Sequence, residues 1–121
     1  MINDQNSKKY DLEERTKTFA KRVREFVKKI SRTIGNIEDG KQLVRSSGSV
    51  GANYIEANES LSKKDFVMRV KISRKEAKES KYWLDLVDIQ GNGYLEKERQ
   101  ELMQEATELM MIFSAIMRKS Q

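Results

Sequence analysis

Glu56 and Glu59, and again Glu76 and Glu79, stand three residues apart. On a helix that spacing places each carboxylate pair on one face. Pairs of this kind in helical bundles can hold magnesium or manganese for phosphoryl chemistry, so a metal-dependent nucleotide phosphohydrolase is one expectation. The chain has no histidine and no cysteine. That removes the commonest general base, the Glu-x-x-His motif of di-iron bundles, thiolate metal sites and disulfides. The simpler reading of the four glutamates is ion pairing with Arg45, Arg69, Arg74 or Lys75, and we favour it. No catalytic residue, metal ligand or cofactor is assigned on this reading, and the protein is not expected to be an enzyme.

Three shorter motifs carry less. The run "DIQGNGYLEKER" places Asp88, Gln90, Asn92, Gly93 and Leu95 in a calcium-loop pattern, but Arg99 occupies the slot that needs a bidentate glutamate. A plain interhelical turn is the better reading. "GSVG" resembles an RNA-binding Gly-x-x-Gly loop without flanking strands, and "DGKQ" lacks a preceding Gly-rich phosphate loop.

Basic residues form the stronger pattern. Lys17, Lys21, Arg24, Lys28 and Arg32 recur at intervals of three or four, as do Lys71, Arg74, Lys75 and Lys78. Each series makes a continuous basic edge on a helix. With a formal net charge of +5, two such edges suit a phosphate backbone and predict sequence-independent contact with RNA or DNA. A solvated lysine-rich face is the competing interpretation, since acidic residues lie among them and no stacking aromatic is interleaved.

The elements that must carry these residues read as helices. The 121 residues are 37% hydrophobic and 36% charged, with no proline, a balance suited to one domain of amphipathic helices with a narrow core. Helix one is expected over about 11–32, with Leu12, Phe19, Val23, Phe26, Ile30 and Ile34 on its apolar stripe. Residues 1–10 read as a flexible tail and 11–121 as a single domain. Gly35 is the expected C-cap, with Asn36 or Asp39 capping a second helix over about 38–58. Ser62 and Asp65 form a short-acid capping box opening a third helix that runs to about residue 88. Its stripe includes Phe66, Val70, Ala77, Leu84 and Val87, widened by Ile72, Trp83 and Leu86. The fourth spans about 95–119. Together they predict an all-α, antiparallel, up-down four-helix bundle. No apolar run is long enough to span a bilayer, so a cytoplasmic protein without membrane contact is expected.

The stretch "LVRSSGSVGANYIEA" tests that plan. Ser47 pairs with Gly51, and Gly48 with Ala52, at four-residue spacing. Small residues so placed let two helices approach closely. Each mid-helix glycine costs about 1 kcal/mol against alanine, so close packing must offset the cost if the helix is continuous; the alternative is a loop over 46–51.

"ELMMIFSAIM" in helix four is apolar around most of its circumference. Met103, Met110 and Met117 form a second line beside the core line, with Met111 next to them. A second stripe suggests a partner, and a homo-oligomer interface is the expectation. Adaptable methionines filling a broad core stripe is the alternative.

One resemblance covers the middle of the chain. Arg45, Ser46, Ser47, Ser49, Val50, Ala52, Asn53, Glu56, Ser62, Asp65, Phe66, Arg74, Glu76 and Glu79 follow a signature. It resembles that of a bacterial four-helix-bundle family that includes proteins encoded in intervening sequences of 23S ribosomal RNA genes. The family also includes the accessory variability proteins of diversity-generating retroelements. The resemblance implies a ring-shaped homopentamer and, for the retroelement members, a basic partner of a reverse transcriptase and its RNA. It supports a helical reading of residues 43–57. The expected function is a non-catalytic oligomeric adaptor for nucleic acid or a nucleic-acid enzyme. The phosphohydrolase and a purely structural protein-interaction oligomer are the alternatives.

Overall fold

A computed structural model describes the backbone of residues 4–121 and the side chains of residues 11–121. The first three residues of the expected flexible tail, and the side chains of the rest of it, lie outside the described residues. Four helices follow in order: α1 (Asp4–Lys29), α2 (Ile34–Asn58), α3 (Lys63–Leu86) and α4 (Gly93–Lys119). No strand occurs among the described residues. Each helix packs on its neighbours in sequence, and α4 closes onto α1, while α1 and α3 sit on opposite corners with no close backbone approach. This is an all-α four-helix bundle.

The core follows the apolar spacing. Leu12, Phe19, Val23, Phe26 and Ile30 of α1 meet Leu43, Val50, Tyr54 and Ala57 of α2, Val70, Ala77 and Leu84 of α3, and Leu95, Leu102, Ala106, Leu109 and Phe113 of α4. Burial of these side chains drives assembly of helices whose outer faces carry most of the charge.

Three expected boundaries are corrected. The α1 helix begins at Asp4, ahead of the expected Asp11, and stops at Lys29. Thr33, in extended conformation, is the N-cap of α2 and accepts a hydrogen bond from the Asn36 amide at 3.1 Å. Gly35 therefore lies inside the first turn of α2 rather than capping α1, and neither Asn36 nor Asp39 is the cap. Ile34 belongs to α2 and is 85% exposed rather than part of the α1 stripe. Leu86, expected to widen the α3 stripe, is exposed at the end of its helix. Ser62 caps α3, its side chain accepting from the Asp65 amide. Gln90 and Gly91 turn the chain with positive φ before Asn92 caps α4.

Asn36 has a different task from the expected one. It is buried, and its side-chain amide donates to Ser31 O at 3.0 Å and Asp88 O at 2.8 Å, while its Oδ1 accepts from the Asp88 amide at 2.8 Å. One side chain thus ties the α1–α2 turn to the α3–α4 turn, satisfying backbone groups that the ends of helices leave open.

The stretch 43–57 is continuous helix within α2. Its small residues admit neighbours on both sides. A Cβ on Gly51 would lie 2.8 Å from Thr16 Oγ1 of α1, and one on Gly40 3.3 Å from Val27. Towards α3, the Ser46 and Ser80 hydroxyls are 2.8 Å apart, and Ser73 donates to Val50 O at 2.9 Å. Ser46, Ser47, Ser73 and Ser80 are all fully buried. Ser47 faces its own helix, donating to Val44 O. Hydroxyls that bond backward along a helix or across to a neighbour can be buried without an unsatisfied polar atom. Ala52 is exposed, so the Gly48–Ala52 pair faces outward rather than into this seam.

Candidate nucleic-acid interface

Charge divides between the seams and the outer edges. Along the α1–α4 seam, Arg15 binds Glu105 through two hydrogen bonds of 2.8 Å and reaches Glu108 at 3.0 Å. Arg22 pairs with Glu101 at 3.7 Å and Lys29 with Glu98 at 3.0 Å. Arg15, Arg22 and Lys29 are seven residues apart, two helical turns, so each presents to the same acidic flank of α4. The Arg15 guanidinium is held above its ordinary pKa, chiefly by the hydrogen bonds it donates to Glu105. This ladder had a signal in the sequence, a heptad-spaced basic line facing glutamates at 98, 101, 105 and 108, which the reading for basic edges passed over.

A second cluster joins α2 to α3. Arg45 bonds Glu76 at 3.1 Å and also binds Glu79, whose Oε1 accepts from Trp83 Nε1 at 3.2 Å. Burial opposes the charged form of Arg45, but Glu79 and Glu76 outweigh it and its pKa is raised. Arg69 donates to Asn53 Oδ1 at 3.1 Å. Arg45, Asn53, Glu76 and Glu79, residues that carry the family resemblance, are thereby engaged in fastening two helices.

Of the two readings of the four glutamates, ion pairing is seen for Glu76 and Glu79, and the two carboxylate pairs do not share a site. Glu76 and Glu79 are bound by Arg45, while Glu56 on α2 and Glu59 at its C-cap are exposed. Among the described residues no group of three or more acidic side chains is placed to hold a metal ion. In the calcium-like turn, Arg99 donates to Val87 O at 2.9 Å and pairs with Glu96. That occupies the strongest ligand slot with a cation.

The two basic edges have separate fates. On α1, Lys17, Lys21, Arg24 and Lys28 are exposed. Arg24 lies over Gly48 of α2 and donates to Ala20 O, and Lys28 pairs with Glu25 at 3.0 Å. On α3, Lys71, Lys75 and Lys78 are exposed, and none forms an ion pair among the described residues. Arg74 turns inward and donates to Ser114 of α4 at 3.3 Å. Since α1 and α3 are diagonal, one edge borders the α1–α2 seam and the other the α3–α4 seam. A single protomer does not merge them into one footprint.

The methionine line behaves differently from its neighbour. Met103, Met110 and Met117 pack against the protomer's own core, whereas Met111 is 65% exposed. A second apolar strip lies on the outer face of α2, where Ile37 and Ile55 are exposed at 36% and 49%. Half-buried Val44 and Gly48 and exposed Ala52 lie between them at helical spacing. The reading for an interface overlooked it because glycine and alanine dilute its hydropathy.

These features define a class: a small helical bundle whose seam cations are paired and whose outer α3 lysines, Lys71, Lys75 and Lys78, are not. The chain belongs to the 23S rRNA-intervening sequence protein family, whose model matches residues 8–115. It is also similar to the crystal structure of a protein of unknown function from the S23 ribosomal protein family of Bacteroides thetaiotaomicron. The two share 27% identity and a TM-score of 0.75 over 88% of this chain and 97% of that one. No curated protein matches the chain. Among the described residues, no helix is long and apolar enough to cross a membrane.

Proposed function

We propose that this protein is a non-catalytic, self-associating adaptor that holds RNA or DNA without reading its sequence. Lys71, Lys75 and Lys78 of α3 are the main phosphate contacts, with Lys17 and Lys21 of α1 as secondary ones. The observation that carries the proposal is the partition of charge. The seam glutamates Glu76, Glu79, Glu98, Glu101, Glu105 and Glu108 are held by Arg15, Arg22, Lys29 and Arg45, and the α3 lysine row is exposed and without an acidic partner among the described residues. Phosphate backbones compete for such a row by releasing counterions, which requires no base contact.

Self-association strengthens the same field by repeating the row around an assembly. The exposed strip of α2 and, on the diagonally opposite helix, exposed Met111 of α4 are the contact surfaces of this reading, and a closed ring is the arrangement that the resemblance implies. A reverse transcriptase, the protein partner implied for retroelement relatives, would share RNA with the row.

Fluorescence anisotropy of labelled RNA and DNA over a salt series tests the proposal. Affinity falls linearly with salt on logarithmic axes. Replacing the three α3 lysines with glutamine flattens the slope by about 2 to 3. Binding that is undetectable or indifferent to salt would eliminate the nucleic-acid role and leave a structural oligomer.

A further inference from the structure

Tyr82 stands on the lysine face of α3. Lys71, Lys75, Lys78 and Tyr82 succeed one another at intervals of four, three and four residues, so they share one outer stripe. The stripe runs about 16 Å along the helix. Tyr82 is 59% exposed at its C-terminal end, and Leu86, 49% exposed, continues it one turn beyond. Tyr82 thus leaves most of a large aromatic side chain open to solvent on the same stripe as three unpaired lysines.

The ring is also held. Tyr82 and Trp83 meet edge to face, their centroids 5.0 Å apart at an interplanar angle of 75°. Trp83 packs against the core and donates its indole N–H to Glu79, which Arg45 binds in turn. A path of contacts from α2 therefore fixes the neighbour on which Tyr82 leans. An ordered aromatic ring loses little freedom when a base covers it. The α1 edge has no aromatic within Lys17–Lys28 other than Phe19 and Phe26, and both of those are fully buried.

We infer that Tyr82 is a base-stacking platform, and that the α3 face therefore takes single-stranded rather than duplex nucleic acid. The inference rests on the phosphate-binding reading of the lysine row and adds the class of strand it accepts. In a duplex the base faces are covered by their neighbours, so only the lysines would find partners. A single strand offers both phosphates for the row and an unstacked base for the ring. Stacking tolerates any base, which keeps the contact independent of sequence.

The test compares a labelled oligothymidylate and an oligouridylate of about 15 nucleotides with a duplex of equal length. The single strands bind more tightly than the duplex. Tyr82→Ala weakens both single strands about tenfold and leaves duplex binding unchanged, and Tyr82→Phe restores the single-strand affinity. Tyr82 is exposed, so its replacement leaves the fold intact, which circular dichroism verifies. Equal losses for single strand and duplex, or none, overturn the stacking role while the lysine row stands. Wild-type protein that binds no strand at all overturns both.

Discussion

Gly51 of α2 and Thr16 of α1 are in backbone-to-side-chain contact: a Cβ at Gly51 would meet Thr16 Oγ1 at 2.8 Å and Thr16 Cβ at 3.2 Å. Thr16 cannot swing aside cheaply, because its hydroxyl donates to Leu12 O and Glu13 O at 2.9 and 3.0 Å and the residue is buried. The missing side chain at Gly51 is what lets the two helices close.

Gly51→Ala should therefore destabilise the bundle by roughly 1–3 kcal/mol through overpacking, despite a propensity gain of about 1 kcal/mol. Gly48→Ala should have the opposite sign. Its Cβ would meet only the mobile end of Arg24, at 3.4 Å, so the propensity gain survives. Urea denaturation midpoints of the two variants distinguish them, and two shifts in the same direction would contradict the close approach.

Asn36→Ala removes three hydrogen bonds that tie the turns together. The expected loss is about 1–3 kcal/mol, largely from backbone groups left without partners. Asn36→Asp keeps the acceptor but sets a carboxylate oxygen against the Ser31 and Asp88 carbonyls in a buried site, and should melt no higher than Asn36→Ala.

Arg15→Ala should loosen α1 from α4. Glu105 is the more buried of its two partners, with a side chain 16% exposed, so it loses compensation as well as attraction. Because Arg15 itself is 37% exposed, the cost should stay near 1 kcal/mol. It should also shrink as salt is added. Hydrogen exchange should quicken in α1 before α2 and α3.

Burial raises the Tyr54 phenol above its ordinary pKa of 10. The unfolded phenol then loses its proton first. Its contribution to stability is complete below about pH 10. It declines as pH rises from there through the folded pKa. Tyr54→Phe should remove that part of the alkaline loss, read as a flatter dependence of melting temperature above pH 10.

The α2 strip should carry self-association. Ile37→Glu together with Ile55→Glu should lower the mass measured by light scattering while circular dichroism keeps its helical signal. Met103→Leu, on a residue packed against the protomer's own core, should leave the mass unchanged. A wild-type protein that is monomeric throughout would remove the assembly from the proposed function.

Much of the fold was legible because helix-forming information is local. The spacing of Leu12, Phe19, Val23 and Phe26, and of Leu102, Ala106, Leu109 and Phe113, marks buried faces without reference to any other helix. Ser62 announced a cap because its bond runs only to Asp65, three residues away. Thr33 was missed because the glycine that follows reads more readily as a helix end than as part of a first turn. Asn36 was misread because its partners, Ser31 and Asp88, belong to two separate turns.

The candidate site was legible only in its inventory. Sequence alone determined which residues are basic, that they recur on helical faces, and that neither histidine nor cysteine is available. It could not determine which cations meet an acid, because Arg15 finds Glu105, and Arg45 finds Glu79, across distances in the chain that only packing closes. Placing α1 and α3 on opposite corners separated two basic edges that looked alike along the chain. Packing also turned Arg74 inward, left Lys71, Lys75 and Lys78 outside, and set Tyr82 against a pinned Trp83. Periodicity is a property of one helix, whereas neutralisation and exposure depend on what stands opposite it.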